Sequence, residues 1–274
     1  MPELPEVETV CRGLSAHITG RTIVRATARR RDLRVPLPHD FERSLADRKI
    51  TAVTRRAKYI LIHLDDGKIF IVHLGMSGSL ILHDAPLPNF RKHDHVIIEF
   101  SPYKLMVFHD PRRFGLIALA AGKDIEGNKL FVQLGKEPLD PETTAERLYD
   151  ILQHSRAPVK SVIMDQRKIV GVGNIYACEA LFRARIHPAR PANKITKKET
   201  ARLMNGIKTV LEEAIRSGGS TLRDYVRSSG DAGYFQHHFS VYGRAKTPCT
   251  LCRTPLSTTR QNGRSTFFCQ TCQK

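Results

Sequence analysis

Tyr59-Ile60-Leu61-Ile62-His63-Leu64-Asp65-Asp66-Gly67-Lys68-Ile69-Phe70-Ile71-Val72-His73-Leu74 divides into two apolar runs, Tyr59–Leu64 and Ile69–Leu74, either side of a polar, glycine-containing separator. Short runs rich in β-branched and aromatic residues between turn residues are strands. The same signature recurs outward at Thr22–Ala28, Ile50–Thr54, Leu80–Leu82, Val96–Phe100, Leu105–Phe108 and Leu116–Leu119. This series predicts an antiparallel sandwich or barrel. In front of it Val7, Val10, Cys11, Leu14 and Ile18 recur at helical spacing, with Pro5 at the start and Gly20 at the close, which predicts a leading helix.

Beyond the strands, Gly135-Lys136-Glu137-Pro138-Leu139-Asp140-Pro141 reads as a linker, and the periodicity after it is helical. The clearest helix starts at Thr196, with Glu199 completing a capping box. It carries Leu203, Ile207, Val210, Leu211 and Ala214 on a core-facing stripe and stops at Gly218-Gly219. Val159–Met164 and Ile175–Phe182 read as two further helices joined by Lys168–Asn174. In that turn Gly171-x-Gly173 either offers backbone N–H groups to a phosphate or is a simple tight turn. The fold class is α+β and multidomain.

The chain has 274 residues, 41% of them hydrophobic, with 44 Lys and Arg against 27 Asp and Glu, a net charge of +17. Such a field attracts polyanions, and nucleic acid is the leading partner. An anionic membrane surface is the rival, but no basic amphipathic helix stands out and the apolar runs are too short to span a bilayer. Glu3, Glu6 and Glu8 give the first turn the wrong sign for a leader, so a cytoplasmic location is expected.

Four of the six cysteines stand as Cys249-x2-Cys252 and Cys269-x2-Cys272. Two such turns, each offering two thiolates, form a closed tetrahedral site for one structural zinc ion, and the intracellular reading disfavours disulfides. Metal lets a segment too small to own a core fold. Cys11 and Cys178 fall on apolar helix faces as core residues. At the other end of the chain, removal of Met1 would leave Pro2 as a free secondary amine beside the Glu3 carboxylate. An α-amine titrates at about 7.7–8.0, well below a lysine, so it is partly neutral near pH 7 and can form a Schiff base. The alternative is that proline is merely a common second residue.

Two segments combine loop glycines with side chains that a sandwich core does not explain. Leu74-Gly75-Met76-Ser77-Gly78-Ser79 places a methionine in a glycine turn, and Asp110-Pro111-Arg112-Arg113-Phe114-Gly115 places an aromatic beside two arginines. Apolar wedges next to arginines unstack base steps from the minor groove; Met76 and Phe114 could equally cap the sandwich. Lys92-His93-Asp94-His95 adds hydrogen-bond donors.

These segments, together with Pro2-Glu3-Leu4-Pro5-Glu6-Val7-Glu8-Thr9, Arg56-Ala57-Lys58-Tyr59, His73-Leu74, Gly171-Val172-Gly173-Asn174-Ile175-Tyr176 and the zinc cysteines, resemble the bacterial formamidopyrimidine-DNA glycosylase family in its own motif order along the whole chain. The resemblance implies a monomeric base-excision repair enzyme that removes 8-oxoguanine and formamidopyrimidines from duplex DNA and cuts the strand by β,δ-elimination. It divides the chain into a catalytic sandwich, residues 1–135, a helix-two-turns-helix domain, residues 136–240, and a zinc finger, residues 241–274. Pro2 would be the Schiff-base nucleophile, Glu3 the neighbouring acid/base, Lys58 the second essential amine and Arg264 a phosphate ligand assisting the δ step. Met76, Arg112 and Phe114 would fill the stack left by a flipped nucleotide, Arg112 reading the orphaned cytosine. His93, Arg156, Lys160 and Asn174 would contact DNA. Many relatives carry two basic residues where this chain has Ser155-Arg156. Ser217–Leu222 would form a lid over the flipped base. Leu4, Met76 and Phe114 favour this purine-directed branch over the endonuclease VIII-like, pyrimidine-directed branch; a non-catalytic damage reader is the remaining alternative, disfavoured by Pro2, Glu3 and Lys58. Nucleoid association follows from DNA binding.

Overall fold

The computed structural model describes residues 2–84, 89–220 and 235–274 and divides into two compact units, Met1–Val132 with Ser217–Tyr234, and Gln133–Arg216 with Phe235–Lys274. In the first unit helix α1 (Leu4–Ile18) leads into β1 (Ile23–Ala28), the short α2 (Phe41–Leu45), β2 (Ile50–Arg56), β3 (Tyr59–Leu64), β4 (Lys68–His73), β5 (Ser79–Asp84), β6 (Asp94–Phe100), β7 (Lys104–His109) and β8 (Leu116–Ala121). The strands form two antiparallel four-stranded sheets, ordered β1-β6-β7-β5 and β2-β3-β4-β8. All eight expected strands are present.

The register of β3 against β4 pairs Tyr59 with His73, Ile60 with Val72 and Ile62 with Phe70. Because strand side chains alternate in direction, Ile60, Ile62, Phe70 and Val72 share one face. They pack with Val96, Ile98, Met106 and Phe108 of the other sheet in a single core. Each fully buried side chain of this kind contributes about 1.5–3 kcal/mol. Helix α1 adds Val7, Val10, Cys11, Leu14 and Ile18 to the same core, and the Cys11 thiol lies 3.4 Å from the Thr54 carbonyl of β2. The N-terminus of α1 is closed by a capping box in which the Glu3 side chain accepts from the Glu6 N–H while the Glu3 N–H donates to Glu6 Oε2 at 2.8 Å.

The second unit contains α3 (Ala145–Gln153), α4 (Val159–Ile163), α5 (Asn174–Ala184), α6 (Lys197–Arg216) and a hairpin of β9 (Ser257–Gln261) and β10 (Arg264–Phe268). The α6 box is formed: Thr196 Oγ1 accepts from the Glu199 N–H and Glu199 Oε2 from the Thr196 N–H. The stretch expected to be a linker is instead docked. Gly135 N donates to Gln166 O at 2.8 Å, Val170 N to Lys136 O at 3.1 Å, and a Cβ on Gly135 would lie 2.4 Å from the Lys168 carbonyl oxygen. Its prolines mark a fixed path here, not a flexible one. Among the described residues no helix is long and apolar enough to cross a membrane.

Candidate active site and nucleic-acid interface

Pro2 and Glu3 are buried immediately ahead of α1, so the capping box that starts the helix also fixes the backbone next to the prospective amine. Glu6 has a second task. Its Oε1 accepts from Ser220 N at 2.8 Å and Ser220 Oγ at 3.0 Å, and Gly219, at φ +77, comes so near that a Cβ there would sit 3.2 Å from that oxygen. The root of the expected lid is therefore tied to the first turn of α1; Thr221 and Leu222 lie outside the described residues.

Lys58 is buried, 7% exposed, in the two-residue connection between β2 and β3. Preceding it, Ala57 adopts φ +52. Arg55 donates to the Ala57 carbonyl at 2.8 Å and to Glu8 Oε2 of α1 at 2.9 Å, and Arg12 holds the other Glu8 oxygen at 2.8 Å. Burial alone would raise the Glu8 pKa, but the hydrogen bonds from Arg12 and Arg55 outweigh it and hold the carboxyl below its usual range. Facing this turn, His73 is pushed down to about 4 by burial, then by the charges of Lys58 and Arg34.

The two wedge segments are one construction. Asp110, fully buried, accepts from Ser77 Oγ at 2.7 Å and from Gly115 N at 2.8 Å, while its carbonyl lies 2.8 Å from His95 Nε2. Ser77 Oγ in turn accepts from Arg112 N at 3.3 Å. At Gly75, φ +63, a Cβ would lie 2.4 Å from the Phe114 carbonyl carbon, so only glycine lets the loops meet. Met76 and Phe114 are left 37% and 45% exposed, and the Arg112 guanidinium sits 5.0 Å from the centre of the Phe114 ring. Neither Asp110 nor Ser77 was singled out from sequence, since each works through partners distant along the chain. Half-buried His93 lines a cleft of about 350 Å³ with Arg29, Arg30, Lys92 and Arg113.

In the second unit Lys160, 2% exposed, donates to Asn174 Oδ1 and to Thr266 Oγ1, each at 2.6 Å, and Asn174 Nδ2 donates to Ser265 O at 2.9 Å. Lys160 and Arg264 line one cleft of about 220 Å³ with Ser161, Met164 and Asn262; Arg264 itself is exposed, as is Arg156. The glycine turn is held from within, since the Gly171 N–H donates to Gln166 Oε1 at 2.8 Å. A residue that sequence reasoning passed over is Glu179 of α5. It is fully buried and accepts the backbone N–H groups of Ser240, Val241 and Tyr242, which anchors the approach to the finger.

The four expected ligands converge: the Sγ atoms of Cys249, Cys252, Cys269 and Cys272 all lie within 4.8 Å of one another, and no cysteine is in a disulfide. Four thiolates about 2.3 Å from a tetrahedral zinc stand about 3.8 Å apart, so the set fits one closed, structural ion. Leu251 N and Cys272 N donate to the Cys249 and Cys269 sulfurs, and Cys178 and Phe182 of α5 pack against the site.

Two apolar-tipped loops on a sandwich, one of them bearing two arginines, a helical unit completed by a four-thiolate finger and a net charge of +17 define a zinc-finger protein built to meet a polyanion. Three family models match in chain order: the Formamidopyrimidine-DNA glycosylase N-terminal domain over residues 1–117, the Formamidopyrimidine-DNA glycosylase H2TH domain over 134–226, and the zinc finger found in FPG and IleRS over 247–274. Formamidopyrimidine-DNA glycosylases of Dinoroseobacter shibae and Thioalkalivibrio sulfidiphilus are 45% and 46% identical, covering 100% of this chain and 100% of each relative. Among solved structures, the MutM (Fpg) protein of Thermus thermophilus is similar with a TM-score of 0.88 at 39% identity, covering 99% of this chain and 98% of its own. Lactococcus lactis Fpg in complex with an abasic site containing DNA is similar at 0.91 and 31% identity, covering 99% of both. The chain belongs to the formamidopyrimidine-DNA glycosylase family.

Proposed function

We infer that the protein is a base-excision repair enzyme, a DNA glycosylase and abasic-site lyase that removes oxidised purines from duplex DNA. The observation that carries this reading is full-length membership of the family together with an N-terminal segment whose Pro2 is buried and backed by a capped helix. After loss of Met1, the Pro2 nitrogen attacks C1′ of the flipped nucleotide, the glycosidic bond breaks and the base leaves. Breaking of the C1′–O4′ bond opens the sugar to an imine, and loss of the C2′ and then the C4′ proton severs the C3′–O and C5′–O bonds in turn. Glu3 exchanges protons at the opening sugar, Lys58 supplies the second amine, and Arg264 meets the departing phosphate.

The exposed Met76 and Phe114 with Arg112 fill the vacated stack, which offsets part of the few kcal/mol that flipping costs. His93, Lys160, Asn174 and Arg156 hold phosphates; for Lys160 the hydrogen bonds to Asn174 and Thr266 support a role in orienting Asn174 as much as in direct contact. Residues 1–135, 136–240 and 241–274 act as catalytic, helix-two-turns-helix and finger segments of a monomer working in the cytoplasm at the nucleoid. Borohydride trapping on an 8-oxoguanine duplex, with mass spectrometry of the N-terminal peptide, tests the core of this reading. A covalent adduct on Pro2 is expected, and Pro2→Gly should keep lesion binding while greatly slowing chemistry; tight binding with no adduct would make the protein a damage reader instead.

A further inference from the structure

The connection that carries Lys58 is held in an unfavourable conformation. Arg56 pairs with Tyr59 across β2 and β3, leaving Ala57 and Lys58 as the whole loop. Ala57 sits at φ +52 and is 2% exposed. For an L-residue this left-handed region is disfavoured, and glycine is the usual occupant of such a hairpin position. Strain of this kind persists only where the surroundings over-determine it, and it gathers at functional sites.

The Arg55 side chain contributes directly to that constraint. The planar Arg55 guanidinium, 11% exposed, donates through Nη1 to the Ala57 carbonyl at 2.8 Å and through Nε to Glu8 Oε2 at 2.9 Å. The Ala57 oxygen belongs to the rigid peptide unit whose nitrogen is that of Lys58, so fixing it fixes the plane from which the lysine departs. Glu8 is one turn along the helix that Pro2 and Glu3 precede, and Arg12 fixes its other oxygen. A continuous chain of bonds thus runs from the nucleophile's helix to the lysine's turn.

We propose that Arg55 is a positioning residue that clamps the strained Ala57-Lys58 turn to helix α1 and thereby sets the second amine relative to Pro2. The proposal rests on the reading of Pro2 and Lys58 as the catalytic amines. Lysine in place of arginine keeps a charge for Glu8 but lacks the fork that reaches both acceptors at once. The two functions of Arg55, ion pair and clamp, are therefore separable.

The experiment uses the zinc-loaded full chain and measures single-turnover base excision, lesion-duplex Kd and melting temperature for Arg55→Ala, Arg55→Lys and the double variant Arg55→Ala/Ala57→Gly. Misplacing a catalytic group by about 1 Å costs on the order of 100-fold. Arg55→Lys is expected to retain Kd and most of the melting temperature yet lose on the order of 10- to 100-fold in rate. Arg55→Ala should lose both rate and stability, and Ala57→Gly on that background should recover rate by removing the strain the clamp opposed. An Arg55→Lys variant with wild-type rate, or a double variant no faster than Arg55→Ala, overturns the clamp while leaving the amine chemistry standing. Wild-type protein that forms no borohydride adduct on Pro2 overturns both.

Discussion

His73 shows how one side chain in this site is tuned by its surroundings. Its Nδ1 accepts the Gly75 N–H at 3.0 Å, a bond that only the unprotonated nitrogen can make, at the point where β4 hands over to the Met76 loop. Burial, then the charges of Lys58 and Arg34, push the imidazole down to about 4. Because the folded value lies below the unfolded one, about 6.5, the unfolded chain binds more protons between the two. Stability from this group is complete above about pH 6.5 and falls as pH drops toward about 4, by on the order of 2 kcal/mol after allowing for partial exposure. Denaturant midpoints at pH 7.5 and pH 5 should show a little over half of this loss, and His73→Asn, which keeps an acceptor but cannot titrate, should shrink it; an undiminished loss would place the proton uptake elsewhere. At this scale the sequence displayed the chemistry-bearing residues but not their keepers. Pro2, Lys58 and the cysteines stand out by type and spacing, whereas Asp110 finds Ser77 33 positions away and Glu179 finds Val241 62 positions away, and no local pattern encodes such pairs.

At the scale of elements, the strands were legible as short β-branched apolar runs between turn residues, and the long helix because its one buried face imposes a period on the residues. The eight strands follow from those runs and α6 from its stripe with Thr196 and Glu199. Helix α3 went unnamed although Thr144 caps it by accepting from Arg147 N, and its buried positions are only Leu148 and Leu152, too few to impose a stripe. The β9–β10 hairpin was also passed over; its signal is Asn262-Gly263, both at positive φ, the dipeptide that favours a tight hairpin turn. Between elements, the wedge loops depend on a backbone contact that a single methyl would break. Gly75→Ala should destabilise by about 2 kcal/mol or more, since its Cβ would overlap the Phe114 carbonyl carbon at 2.4 Å in addition to straining φ +63. Gly67→Ala is the control. It shares a positive φ, +79, but has open space around the added carbon, so it should lose only about 1 kcal/mol. Equal denaturation midpoints for the two would show that the loops do not meet there, and the Gly75 variant should in addition bind lesion duplex more weakly, its Met76 and Phe114 tips being displaced.

For the molecule as a whole, metal and charge set what its two units can do separately. The finger's cysteines are the centre of a small core, Cys178 and Phe182 of α5 with Val241, Leu256, Cys249 and Cys269, and that core shares no residue with the sandwich core. A cluster this small cannot meet the entropy of ordering the chain around it without the ion. Removing a ligand should therefore unfold the finger while the sandwich survives. Cys249→Ala is expected to release zinc and lose DNA affinity, with calorimetry showing an early transition for the helical unit and a β-sheet transition near its original temperature. The salt dependence of binding separates lost phosphate contacts from general misfolding, because each contact removed lowers the slope of log K against log salt by about one. Residual binding with a shallower slope would mean that the sandwich still meets DNA through its own arginines, as the exposed Arg112 over Phe114 implies. Metal-free protein that bound as tightly, with the same slope, would instead take the finger out of the interface and leave the zinc with a purely architectural role.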